Sequence, residues 1–264
     1  MLPLKVSFVQ SSLVWQDPQA NRNFFEMQIH SGPDSDLWLL PEMFTSGFTM
    51  NPKLVAETME GPTVEWMITL AKEKQTAIGG SVVIQAETGF VNRFILVKKS
   101  GDVFHYDKRH LFTLAGEQNF YEPGNNRVVV TVSGWRICLQ ICYDLRFPVF
   151  SRNSRENPFD LLIYVANWPV PRINQWDKLL LARAIENQCY VVAVNRVGED
   201  ANGMAYNGHS AAIDFMGEYL CQADEKQGVF SVALDKDKLL AFREKFPVLN
   251  DADLFSLGQI HIPL

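Results

Sequence analysis

Three side chains, Glu42, Lys108 and Cys142, stand where an apolar run gives way to polar residues. Together they match what a thiol needs to attack an amide carbonyl. Its proton requires a base, the leaving amine requires an acid, and the developing oxyanion requires a donor. Cys142 lies in Gly134-Trp135-Arg136-Ile137-Cys138-Leu139-Gln140-Ile141-Cys142-Tyr143-Asp144-Leu145-Arg146-Phe147-Pro148. The first half of this stretch alternates large apolar residues with others, as a buried strand does, and a short polar turn and a proline able to open a helix follow. Such a strand-turn-helix elbow exposes a reactive side chain. The backbone N–H after Cys142 is a candidate oxyanion donor, and the Lys108 ammonium near Cys142 would lower the thiol pKa from about 8.5. A partly desolvated Glu42 could take the proton and return it.

Each of these residues also has an ordinary reading. Free cysteines are usually small buried hydrophobes, as Cys138 inside the apolar run is expected to be. Cys142 differs because it meets charge at Asp144 and Arg146, and reactive thiols need a polar, partly open setting. A glutamate after a proline is usually a solvated strand end, and a lysine in Asp107-Lys108-Arg109 usually belongs to a solvated charge cluster. Residue types alone leave both readings open.

The elements that position these residues follow in order. A first strand, Leu4 to Val9, precedes a helix opened by Asp17-Pro18, and Asp36 to Leu40 returns as a strand ending at Pro41-Glu42. Met43 to Thr49 reads as a loop. A helix over Pro62 to Lys74 leads to strands at Ala77–Gln85, Val91–Val97 and Val103–Tyr106, joined by turns at Glu87-Thr88-Gly89 and Lys99-Ser100-Gly101-Asp102. The chain then enters a loop that carries Lys108 and Glu117. Strands Val128–Val132 and Trp135–Ile141 reach the elbow. The apolar strand Asp160–Val165 ends at Asn167-Trp168-Pro169, a helix spans Arg172 to Asn187, and Tyr190–Val194 is a further buried strand. Ser210–Asp214, Glu218–Gln222 and Gly228–Ala233 are strands, and a helix over Asp235 to Lys245 stops before Pro247. This alternation implies an α/β protein with a mixed sheet or two packed sheets covered by helices.

Composition narrows the classes. With 264 residues, 47% of them hydrophobic, the chain can bury one large core, and one domain over 1–264 is expected. A net charge of −6 argues against nucleic acid as a partner. No apolar run approaches the ~20 residues that span a bilayer, and the first strand begins without a signal pattern, so no membrane partner and a cytoplasmic location are expected. The four cysteines show no paired spacing, which fits a reducing compartment. His30, His105, His110, His209 and His261 are scattered without ligand spacing, so neither metal nor cofactor is expected.

Three blocks are distinctive in combination: Leu39-Leu40-Pro41-Glu42-Met43-Phe44, Tyr106-Asp107-Lys108-Arg109-His110-Leu111-Phe112 and Cys142-Tyr143-Asp144-Leu145-Arg146-Phe147-Pro148. They resemble, in order and separation, the signature blocks of the nitrilase (carbon-nitrogen hydrolase) superfamily. The resemblance covers almost the whole chain and implies a four-layer α-β-β-α sandwich, assembled as a homodimer. It makes Cys142 the nucleophile, Glu42 the general base and acid, Lys108 the stabiliser of the tetrahedral intermediate, and Glu117 the second glutamate that positions substrate and Lys108.

A narrower resemblance lies in Ala166-Asn167-Trp168-Pro169-Val170-Pro171-Arg172, Trp176 and Ala182-Arg183-Ala184-Ile185-Glu186-Asn187. These segments are similar to the bacterial omega-amidase branch, which implies a small-molecule substrate, a 2-oxo acid monoamide. Its carboxylate needs a cation, for which Arg172 is the candidate, with Arg146 and Arg196 as alternatives. Trp168, Phe48, Phe112 and Tyr143 are candidate pocket walls, while Arg183 and Glu186 are read as packing or subunit-contact residues. Two rivals stand beside this reading: another small amide, carbamoyl or nitrile substrate, and a non-catalytic scaffold of the same fold.

Overall fold

The structure, a computed structural model, describes residues 2–253 and 255, so His261 lies outside the described residues. The elements in chain order are β1 (Leu4–Gln10), α1 (Pro18–Ser31), β2 (Leu37–Leu39), α2 (Pro62–Lys74), β3 (Ala77–Gln85), β4 (Phe90–Val97) and β5 (Val103–Asp107). Then follow β6 (Val129–Val132), β7 (Trp135–Ile141), β8 (Leu161–Ala166), α3 (Ile173–Asn187), β9 (Tyr190–Asn195), β10 (Val197–Glu199) and β11 (Ala205–Asn207). The last are β12 (Ala211–Ile213), β13 (Tyr219–Gln222), β14 (Gly228–Leu234) and α4 (Lys236–Lys245).

Local chemistry explains the helix ends. The Asp17 carboxylate accepts the Ala20 N–H at 2.9 Å, with Pro18 in the first turn of α1. Gln75 and Gln188 adopt left-handed conformations that stop α2 and α3. Asp235 caps α4, whose last turn carries Arg243 and Lys245.

Two six-stranded sheets, ordered β14-β1-β2-β3-β4-β5 and β13-β12-β9-β8-β7-β6, pack face to face. Period-two alternation divides the first sheet. Leu4, Val6, Phe8, Leu37 and Leu39 join the core shared with β7, β8 and β9. Val9, Trp38, Leu40 and Ile78 turn the other way, onto Phe25 and Ile29 of α1 and Val64 and Met67 of α2. Trp176, Leu180 and Ala184 of α3 bury against the second sheet, completing the four-layer α-β-β-α sandwich. Among the described residues no helix is long and apolar enough to cross a membrane.

Strand direction brings the chemistry together. β1, β2 and β3 are parallel, and two antiparallel steps make β5 run with β3. Glu42 and Lys108 therefore leave the first sheet at the same end. β7, β8 and β9 are also parallel, so Cys142, Asn167 and Asn195 emerge together from the second.

Two local expectations change. No helix opens at Pro148: Cys142–Arg146 is itself a single 3-10 turn, and the chain beyond it is drawn into a loop by Asn153. That buried side chain accepts the Phe159 N–H at 2.9 Å and donates to Phe159 O and Asn187 O, both at 3.0 Å. The second change is the antiparallel ribbon β10–β11, formed where the sequence carries no alternating apolar run.

Candidate active site

At the elbow, β7 ends at Ile141 and Cys142 adopts φ +44°, a left-handed conformation uncommon for a residue with a side chain. The Asp144 carboxylate accepts the Ile141 N–H at 2.9 Å and closes the turn. Tyr143 occupies the second position of the 3-10 turn, where a backbone N–H has no partner within the helix. Tyr143 itself lies in the cavity wall beside Cys142.

Glu42, Lys108 and Glu117 converge behind Cys142. The Lys108 Nζ lies 3.0 Å from Glu42 Oε1 and 3.0 and 2.9 Å from the two Glu117 oxygens, with all three side chains fully buried. The Glu117 carboxylate also accepts the Phe112 N–H at 2.5 Å, which folds the loop back over Lys108. Glu42 accepts further hydrogen bonds from Asn92 Nδ2 at 2.8 Å and from the Asn167 N–H at 2.8 Å. Glu42 is also close enough to Cys142 for its charge to act on the thiol.

The electrostatics follow from burial. Removal from water raises the Cys142 thiol well above its ordinary range and the Glu42 charge adds to this, while Lys108 pulls the other way. The expected net lowering by Lys108 is thus reversed, because desolvation and the Glu42 carboxylate together outweigh the ammonium. Burial alone would lower Lys108, but Glu117 and then Glu42 carry its pKa upward. Desolvation also raises Glu117, opposed by Lys108.

Cys142 forms part of the wall of a cavity of about 330 Å³, a volume suited to a small ligand. Tyr143, Trp168, Arg172, Phe48 and Phe112 all line it, so the structure brings together every wall residue expected from the sequence. Phe112 and Tyr143 meet edge to face at 5.0 Å. Arg172 packs over Phe112 and Arg146 over Trp168, at 5.2 and 5.0 Å. Arg146 also lines the cavity, whereas Arg196 is buried outside its wall, stacked on Tyr206 at 4.6 Å. Arg183 lies away from the cavity, donating to Leu145 O at 2.6 Å and pairing with Glu186 at 3.0 Å.

Sequence reasoning missed several contributors. Asn92 lies within β4 and shows nothing in the sequence but a polar residue in an apolar strand. Asn195 fixes the pocket loop, accepting the Trp168 N–H at 2.7 Å and donating to Trp168 O at 2.9 Å. The β10–β11 ribbon brings Asp200, Asn202, Met204 and Tyr206 to the cavity.

Comparison with known proteins is consistent with this geometry. The carbon-nitrogen hydrolase family model matches residues 5–244. The chain is 48% identical to the omega-amidase YafV of Escherichia coli, with 96% of this chain and 98% of that protein covered. It is 30% identical to a 2-oxoglutaramate amidase of Bacillus subtilis, covering 93% and 96%. It superposes on a CN-hydrolase superfamily protein from Xanthomonas campestris, whose structure has an arsenic adduct in the active site, with a TM-score of 0.95 and 45% identity over 98% of this chain and 100% of that one.

Proposed function

The chain belongs to the carbon-nitrogen hydrolase family and is an enzyme acting on amides, and from that premise we propose that it hydrolyses the terminal amide of 2-oxo acid monoamides, 2-oxoglutaramate and 2-oxosuccinamate. The products are a 2-oxo dicarboxylate and ammonia. The reading rests chiefly on one observation: Lys108 is clamped between Glu42 and Glu117 behind Cys142, at a cavity that also presents Arg146 and Arg172.

The Cys142 thiol passes its proton to Glu42 as sulfur attacks the amide carbonyl. The oxyanion is stabilised by the Lys108 ammonium and the Tyr143 N–H. Glu42 returns the proton to the nitrogen, the C–N bond breaks, and ammonia leaves a thioester on Cys142. Glu42 then takes a proton from water as the water attacks the thioester, and gives it back to sulfur when the carboxylate product departs. Glu117 holds Lys108 in place. Arg172, aided by Arg146, binds the distal carboxylate, and the aromatic walls exclude water. Neither guanidinium has a carboxylate within 4.0 Å among the described residues.

The test is ammonia release from the two 2-oxo amides, glutamine, an N-carbamoyl amino acid and a simple nitrile. Release from the 2-oxo amides that disappears in Cys142→Ala, with the thermal transition retained, supports the reading. Release from another compound replaces the substrate, and silence across the panel favours a binding scaffold.

The working form is a cytoplasmic homodimer of a single domain. Four free cysteines suit a reducing compartment. Ile185 of α3, against Gly217 of the β12–β13 turn, is 53% exposed and Met216 in that turn 60%, apolar surface that a second subunit would cover. Sedimentation should give twice the chain mass, reduced to one chain by Ile185→Glu.

A further inference from the structure

Lys108 and Cys142 come from different sheets, yet one carboxylate grips both of their chain segments. Asp144, two residues past Cys142, is fully buried. Its Oδ2 accepts the Ile141 N–H at 2.9 Å and the Tyr106 hydroxyl at 2.7 Å. Its Oδ1 accepts the His110 N–H at 3.1 Å and lies 2.7 Å from His110 Nδ1. Tyr106 precedes Lys108 by two residues and His110 follows it by two. The Tyr106 hydroxyl also accepts the Arg109 N–H at 3.1 Å. The backbone is therefore tied down on both sides of Lys108 by an anion rooted in the Cys142 turn. The His110 ring adds a second tie, lying on Phe147 with centroids 3.8 Å apart and planes 9° from parallel.

Closing the elbow needs only the Ile141 N–H, which Asp144 accepts as the third-position carboxylate of a capping box does when it reaches back to the cap residue. The other three donors belong to the Lys108 segment and are not needed for the turn. Four donors on two oxygens nearly fill the lone pairs of a buried carboxylate, which makes the arrangement rigid. A displacement of about 1 Å between reacting groups can cost ~100-fold in rate.

We propose that Asp144 is a positioning residue for amide hydrolysis: the Tyr106–Asp144–His110 network sets the Lys108 ammonium against the Cys142 sulfur across the two sheets. The inference rests on the roles given above to Lys108 and Cys142. Asp144, Tyr106 and His110 do not line the cavity, so the network acts on turnover and not on substrate affinity.

Tyr106→Phe removes one hydroxyl while keeping the ring in the core, and Asp144→Asn keeps the shape while weakening the acceptor. Steady-state kinetics on the amide substrate, scaled to the Cys142 that iodoacetamide can alkylate, should show kcat at least tenfold lower in Tyr106→Phe with KM within twofold. Asp144→Asn should lose more; if it does not fold, Tyr106→Phe decides. An unchanged kcat with a lowered thermal midpoint would make the network a structural brace and overturn the proposal. A raised KM at constant kcat would overturn it too, by placing the network in substrate binding. Cys142→Ala is run in parallel: turnover retained there removes the amidase mechanism itself, a failure distinct from the other two.

Discussion

Burial and the Glu42 carboxylate both favour the protonated thiol of Cys142, and Lys108 offsets them only in part. The proton must therefore leave as sulfur attacks, which makes the placement of Glu42 decisive. Asn92 governs that placement from within β4. Its amide donates to Glu42 Oε1 at 2.8 Å while its backbone carbonyl accepts the Lys108 N–H at 2.9 Å. Asn92→Leu keeps the volume and removes the donor. A hydrogen bond to a charged group contributes about 1.5–3 kcal/mol, so kcat should fall roughly ten- to a hundredfold. Steady-state kinetics check this, and a kcat within twofold of the parent would remove Asn92 from the site.

At the scale of elements, the β10–β11 ribbon contributes to the cavity wall from outside the two six-stranded sheets. Its ends are fixed by backbone conformation. Gly208, at φ +76°, closes the ribbon by donating its N–H to Arg196 O at 3.0 Å. A Cβ there would lie 2.3–2.4 Å from the Gln10 amide, and Gln10 itself holds Asp224 and Lys226 carbonyls. Gly208→Ala should therefore displace Asp200, Met204 and Tyr206 and raise KM severalfold, with a smaller effect on kcat because Glu42, Lys108 and Glu117 are held by hydrogen bonds to one another and to Asn92 and Asn167, none of which lies in the ribbon. Equal loss in both constants would show that ribbon and cluster are coupled. The α3 helix acts oppositely: Arg183, reaching Leu145 O, braces the elbow turn from outside.

For the whole molecule, stability carries the cost of thiols held in the core. Burial pushes the Cys138 thiol up to about 12. In the unfolded chain a thiol loses its proton near pH 8.5, while the folded chain keeps it, so rising pH between those values draws the equilibrium toward unfolding. Below about pH 8.5 both states are protonated and the group contributes no pH dependence. Cys138→Ala should lower stability at pH 7 through the lost packing, yet flatten its decline from pH 8 to 10.5. Urea denaturation across that range tests this; parallel curves for parent and variant would reject it.

Residues within a few positions of one another were legible in the sequence. The helix over Pro62–Lys74 and the strand over Ala77–Gln85 have the bounds the sequence implies, since their punctuation is local, in Pro62 and in the switch from a 3.6 to a 2.0 period. Glu42, Lys108 and Cys142 could be picked out because each stands at a strand end and their motifs resemble those of one family. The fully buried state of Glu117 could not be read, because it depends on its own loop folding back so that the carboxylate meets Lys108 and the Phe112 N–H. Asn92 looks like any polar residue in a strand, and Asp144 like any turn carboxylate. What separates them from their neighbours is a partner 50 residues away in one case and 34–38 in the other. The sequence by itself determined the elements and the types of reactive group, which are set by backbone propensity and short-range pattern. Only the tertiary structure decided which groups share a buried volume, and hence the direction of the Cys142 shift, because desolvation and charge pairing depend on distances in space.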